Sequence, residues 1–199
     1  IETRRALVAG TPGYSEQNWQ QMAELGWLGV TVAEQHGGVA GGATETMVLM
    51  EAFGAGLVLE PYLPSVVLGG NLVALAGSEA QQQAILPAMV EGKLKLAFAY
   101  VEEQSGYDLF DVETTATARD GGYVINGAKG VVLGAASADQ LIVSARSAGS
   151  SRDQQGIGLF LVARDAPGVR LREYHTIDGL RAADVHFDKV AVNIDCVLG

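Results

Sequence analysis

The chain has 199 residues, 48% of them hydrophobic, enough for a real core in one large domain or two small ones. Its net charge of −10 excludes the basic face that a nucleic-acid partner requires. Only 18% of residues are charged, low for a free-standing surface, so part of that surface is expected to be buried against another domain or subunit. The lone cysteine, Cys196, rules out an internal disulfide framework and fits a reducing compartment, so a cytoplasmic location is expected. The most apolar stretch, 47–72, is interrupted by Glu51, Glu60, Pro61 and Pro64, short of the about 20 clean residues of a membrane span. The chain opens on Ile1 and closes on Val197-Leu198-Gly199 without a polar tail, which reads as a fragment at both ends.

The first 93 residues read as helical. Ser15 caps a helix whose face is Trp19, Met22, Ala23 and Gly26, at i, i+3, i+4, i+7. Thr44 starts a second helix that is apolar all round (Met47, Val48, Leu49, Met50, Ala52, Phe53) and is therefore expected to be central. Pro61 and Pro64 suggest an extended connector, and 66–76 a third helix ended by Gly77. Ser78-Glu79-Ala80-Gln81 is a capping box that opens a fourth helix ending at Gly92, with Pro87 expected to kink or shorten it.

After Lys93 the period changes to two. Leu94, Leu96, Phe98 and Tyr100 alternate with Lys95, Ala97, Ala99 and Val101, and 112–119 reads as a second strand. Asp120-Gly121-Gly122 turns into Tyr123-Val124-Ile125, and further strands are expected at 140–146, 157–164, 169–174 and 185–192, with a flexible loop at 147–155. The expected fold class is α+β: an N-terminal helical domain over 1–93, then a small antiparallel β-barrel or sandwich domain over 94–199.

Two segments stand out. AFAYVEEQSGYD (97–108) and NGAKGVVLGAASADQLIVSAR (126–146) each read as a strand running into a small-residue loop, and together as opposing walls of one ligand site. Their order, after ELGWLGV (24–30), EQHGG (34–38) and GSEAQ (77–81) and before GLR (179–181), resembles the acyl-CoA dehydrogenase family along nearly the whole chain. The middle segments most resemble small subunits of the pimeloyl-CoA type, which pair with a large subunit.

The resemblance implies an oxidoreductase of fatty-acid metabolism that binds an acyl-CoA and FAD, passes electrons to an electron-transfer flavoprotein or similar acceptor, and forms homo- or hetero-oligomers. It implies cofactor contacts at Phe98, Tyr100, Val101, Gly106, Tyr107, Val131 and Leu133, and substrate contacts at Ser105 and Gly106. The family's C-terminal four-helix domain, which carries the catalytic carboxylate in most members, has no counterpart here. No catalytic residue is therefore expected in this region, which alone is expected to be inactive.

Several positions depart from the family pattern. Val101 stands where a hydroxyl residue usually bonds the flavin ring, Tyr107 where a serine meets the pyrophosphate, Val131 where a tryptophan lies beside the ring, and Leu133 where a hydroxyl addresses N5. Two readings follow: a flavin site with few side-chain hydrogen bonds, or a non-catalytic half-site subunit whose partner holds the working flavin. A plainer reading puts Val101, Val131 and Leu133 in the β-domain core. Glu102 and Glu103, adjacent on a strand end, point to opposite faces and do not form a paired acid/base site. His36, His175 and His186 lack metal-ligand spacing, and the glycine pairs at 37–38 and 41–42 follow no strand of a βαβ unit.

Overall fold

A computed structural model describes residues 2–199. They form two compact units: the chain up to Leu96 together with Thr176–Leu180, and Ala97–His175 with Arg181–Gly199.

The first unit is helical. Helix α1 (Glu2–Ala9), not among the helices expected from the sequence pattern, precedes α2 (Glu16–Glu24). Ser15 caps α2 as its sequence predicts, its side chain accepting from the Asn18 N–H. Trp19 and Met22 face inward from α2, and the Trp19 indole donates to the Gly92 carbonyl at 3.0 Å. Helix α3 (Ala43–Gly56) corrects an expectation: of its apolar residues only Phe53 is buried, while Met47 and Val48 are 61% and 57% exposed. Hydrophobicity on every side of a helix signals burial only when something covers each side.

The connector expected around Pro61 and Pro64 is instead a wide-turn π-helix, Leu63–Gly70, which runs on into α4 (Asn71–Ala76). Pro64 falls in its first turn, where the missing N–H costs nothing. Helix α5 (Glu79–Val90) opens on the expected reciprocal capping box between Ser78 and Gln81. It continues one turn past Pro87, so the proline does not shorten it, and ends before Gly92, whose φ of +73° suits glycine.

The second unit is built on one eight-stranded, mostly antiparallel sheet: β1 (Leu96–Ala99), β2 (Thr115–Arg119), β3 (Gly122–Leu133), β4 (Gln140–Arg146), β5 (Ile157–Ala163), β6 (Val169–His175), β7 (Arg181–Asn193) and β8 (Val197–Leu198). The order is β6-β7-β3-β2-β4-β5-β8, with β1 pairing β4. Asp120 and Gly121, both at positive φ, make the turn joining β2 to β3. Alternating side chains of these strands, among them Ala97, Ala99, Ile125, Val132, Val143, Phe160 and Val185, close into one core. Across it Tyr123 meets Phe160 edge to face.

Two irregularities shape β3. Between Ile125 and Gly127 the register shifts, and the Asn126 side chain accepts the N–H of Lys189 at 2.8 Å. Between Lys129 and Val132 two residues, Gly130 and Val131, lie opposite the single residue Asp184 of β7, which is a β-bulge.

Candidate functional site

In β1 the alternation sends Ala97 and Ala99 into the core and leaves Phe98 and Tyr100 on the other face, half-buried and stacked with ring centroids 4.7 Å apart. The chain then leaves the strand, and the Val101 carbonyl accepts the N–H of Gly130 at 2.8 Å. That bond joins the two segments singled out in the sequence where the first leaves the sheet and the second bulges from it.

Next to it lies a buried ion pair that the sequence reading missed. Lys129 Nζ sits 2.6 Å from Glu102 Oε1, with side-chain exposures of 0% and 4%, and also donates to Ser144 Oγ at 2.9 Å. The Glu102 carboxylate accepts three further bonds, from the backbone of Glu113 and Thr114 and from the Gln104 amide. Burial alone would push its pKa up; the Lys129 and Gln104 hydrogen bonds, the Lys129 charge and the Glu113 N–H outweigh that and hold it at about 2. Burial lowers the pKa of the Lys129 ammonium, against the pull of Glu102. A carboxylate so fully engaged is a structural tie and not a proton acceptor for a substrate. Glu103, its neighbour, is exposed.

The turn that follows is tied to Glu102. Ser105 Oγ donates to the Glu102 carbonyl at 2.9 Å and accepts the Glu102 N–H at 3.2 Å, so its one donor is used within the turn and one acceptor lone pair remains. Gly106 has φ +55° and open space where a Cβ would stand, and Tyr107 is fully exposed. Among the described residues, no hydrogen bond engages the N–H of Gly106 or of Tyr107. Asp108 closes the loop by accepting the Phe110 N–H at 2.9 Å.

The second wall is the bulge. Val131 has φ +50° and is half exposed. For a β-branched residue that backbone costs on the order of 1–3 kcal/mol and persists only where its surroundings enforce it. Its N–H reaches Tyr174 Oη at 3.1 Å and Asp184 Oδ1 at 3.4 Å. Tyr174 donates to Asp184 Oδ1 at 2.9 Å, and Arg172 grips Oδ2 at 2.6 and 3.2 Å. The Arg172 hydrogen bond lowers the Asp184 pKa, whereas burial and the Asp184 carboxylate raise that of Tyr174. The core reading fails for Val131, whose side chain stands out from the sheet while Val132 takes the buried place; Val101 and Leu133 are half-buried.

The structure thus joins Val101 to the β3 bulge that carries Val131, with Leu133 two residues on. Phe98 and Tyr100 lie just before that junction and Ser105, Gly106 and Tyr107 in the turn just after it. Lys129, Ser144, Arg172, Tyr174 and Asp184 escaped the sequence reading. Their contacts span 10 to 53 positions in the chain, and only the pairing of the strands, β6 on β7 and β3 on β7 among them, exposes them. Among the described residues no group of three or more His, Cys, Asp and Glu could hold a metal, and no helix is long and apolar enough to cross a membrane.

Known proteins carry the same architecture. Residues 5–93 match the model of the acyl-CoA dehydrogenase N-terminal domain and residues 97–190 that of the acyl-CoA dehydrogenase middle domain. The chain belongs to the acyl-CoA dehydrogenase family. Among relatives, it is 29% identical to acyl-CoA dehydrogenase FadE12 of Mycobacterium tuberculosis, over 94% of this chain and 49% of that protein. It is also 29% identical to the caffeyl-CoA reductase-Etf complex subunit CarC of Acetobacterium woodii, over 94% of this chain and 50% of that one. Among solved structures, the ChsE4-ChsE5 complex from Mycobacterium tuberculosis superposes with a TM-score of 0.87 at 26% identity, covering 100% of this chain and 51% of the other. An FAD complex of PigA gives 0.85 at 25% identity, covering 93% and 50%. The chain spans about half the length of the curated relatives it matches.

Proposed function

We propose that residues 1–93 and 94–199 are the N-terminal helical and middle β domains of a flavin-dependent dehydrogenase acting on the α,β bond of an acyl-CoA thioester. The bond from Gly130 N–H to the Val101 carbonyl carries this reading, because it sets the two segments side by side. The donor chemistry supports a fit to FAD. The turn offers two unengaged N–H groups beside an unobstructed glycine, suited to phosphate oxygens. Val101, Val131 and Leu133 offer apolar surface for a ring, and hydrogen bonds to its edge would come from backbone groups near Phe98, Tyr100 and Val101.

FAD, when bound, supplies the hydride acceptor for the β-carbon. This chain's part is to orient ring and thioester: Phe98, Tyr100, Val101, Val131 and Leu133 along the ring, Gly106 and Tyr107 at the phosphates, Ser105 and Gly106 toward the substrate. Glu102 is committed to Lys129, so the base that takes the α-proton comes from outside this region, in keeping with the C-terminal domain of the family. Electrons would pass to an electron-transfer flavoprotein or similar acceptor, in a cytoplasmic homo- or hetero-oligomer. Full-length protein, copurified with any partner subunit, is expected to show oxidised-flavin absorbance near one flavin per chain. A colourless preparation that FAD cannot reconstitute overturns the reading.

One observation favours a second reading, a half-site subunit whose partner holds the working flavin. Val101, Val131 and Leu133 lack side-chain donors, and the Val131 N–H is already engaged by Tyr174 and Asp184. Each missing bond removes about 0.5–1.5 kcal/mol of net binding. A gain of flavin by the subunit on Val101→Thr with Leu133→Thr supports the half-site reading; an unchanged, already stoichiometric flavin content removes it.

A further inference from the structure

We propose that Tyr174, Asp184 and Arg172 form a positioning cluster that locks the β3 bulge at Val131 and so fixes the surface this wall turns toward the flavin ring. The inference rests on the flavin reading above for the identity of what the wall faces. The lock itself rests on geometry alone.

Three observations converge on it. Two residues of β3, Gly130 and Val131, oppose the single residue Asp184, so the sheet leaves one N–H without its ladder partner. Asp184, the residue facing the bulge, supplies the replacement acceptor through Oδ1, assisted by Tyr174 Oη. Arg172 holds the other oxygen of the same carboxylate, which leaves Oδ1 to Tyr174 and Val131. Consecutive N–H groups therefore go to different partners, Gly130 to the Val101 carbonyl on the first wall and Val131 to the cluster on β6 and β7. Such a peptide is pinned from both sides, which explains how a valine is kept at φ +50° with its side chain half exposed.

The chemical consequence is specific. The cluster withdraws the Val131 N–H from any ligand, so this wall meets the ring through the valine methyl groups and not through a donor. Breaking the cluster frees that N–H and loosens the bulge, which changes the electrostatic surroundings of the ring.

The test uses full-length protein with any copurified partner, as wild type and as the variants Tyr174→Phe and Asp184→Asn. Hydrogen exchange over residues 126–134 is expected to quicken by about five- to tenfold at Val131 in both variants, as one hydrogen bond's worth of protection is lost. The bound flavin is expected to shift its visible absorption maximum and its midpoint potential. Unchanged exchange at Val131 in both variants overturns the lock. Faster exchange with an unaltered flavin spectrum and potential overturns the positioning role. A wild-type preparation that neither holds nor takes up FAD overturns the flavin reading and the positioning role with it. The exchange measurement still decides the lock in that case, so the two failures are told apart. Should Asp184→Asn fail to fold, Arg172→Gln reads the same exchange with a milder change.

Discussion

Lys129 Nζ lies 2.6 Å from Glu102 Oε1, and both side chains are buried within the β unit. One group sits on β3 and the other just beyond β1, so the pair and the adjacent Gly130–Val101 bond bind the two candidate walls to each other. The first prediction follows from the cost of orphaning a buried charge. Lys129→Met leaves the Glu102 carboxylate uncompensated and is expected to cost about 3–5 kcal/mol. The double variant Lys129→Met with Glu102→Gln removes both charges and is expected to lose markedly less than the two single variants added together. Urea denaturation of the four proteins checks this, and strict additivity would show that the pair is not coupled.

The same pair sets an acid limit on stability. Glu102 has a folded-state pKa of about 2 against an ordinary value of 4.5. Between these values the unfolded chain binds more protons than the folded one, so stability falls as pH falls through this window and is fully present above it. Thermal unfolding of wild type and Glu102→Gln between pH 6 and about 2.5 is expected to show a steeper acid loss in the wild type. Parallel curves would mean that Glu102 contributes nothing to the acid limb.

The legible and illegible parts of this chain divide along a physical line. Caps, turns and alternation are local, and they led to Ser15 before α2, the box at Ser78 and Gln81, the Asp120-Gly121 turn and most strands of the β unit. Phe98 against Ala97 and Ala99 was readable because a strand's two faces follow from its period of two. Long-range pairing was not readable. Glu102 meets Lys129 across 27 positions, where the chain leaving β1 runs beside β3, and Val131 meets Asp184 across 53, which follows only once β3 has a register on β7. The bulge makes the point sharply: one extra residue sends Val131 out of the sheet and Val132 into the core, which sequence alternation alone cannot anticipate. Helix α3 failed for another reason, since its sequence records how apolar it is and not what covers it.

Arg146 carries the third prediction. Buried at the end of β4, its guanidinium donates to the carbonyls of Phe110, Val112, Ser151, Asp153 and Gln155 at 2.8 to 3.1 Å and of Ala148 at 3.3 Å. One planar fork thereby gathers the 110–112 segment and the β4–β5 loop. A lysine, a single point charge on a flexible stem, cannot reach both. Arg146→Lys is expected to cost roughly 2–4 kcal/mol through carbonyls left without donors, and to hasten proteolytic nicking within residues 147–156. Nicking at the wild-type rate would show that the loop holds its own shape.

The last prediction concerns α3, where exposure and burial sit a few residues apart on one helix. Phe53 is buried, packing edge-on to Tyr62 with centroids 5.0 Å apart and tilted against Trp27 at 5.8 Å. Removing that ring empties space on all sides, so Phe53→Ala is expected to cost about 3–5 kcal/mol. Met47, 61% exposed, touches too little to matter to this unit. Met47→Glu is expected to change the stability of this chain by no more than about 0.5 kcal/mol. The low charge content leads to the expectation of surface buried against another domain or subunit, and α3 is one of the places where apolar side chains are exposed. If a further domain or subunit covers α3, Met47→Glu will leave this chain's unfolding curve unchanged and yet weaken the full-length assembly, read by sedimentation. Equal insensitivity in both would mean that the apolar face of α3 stays in water.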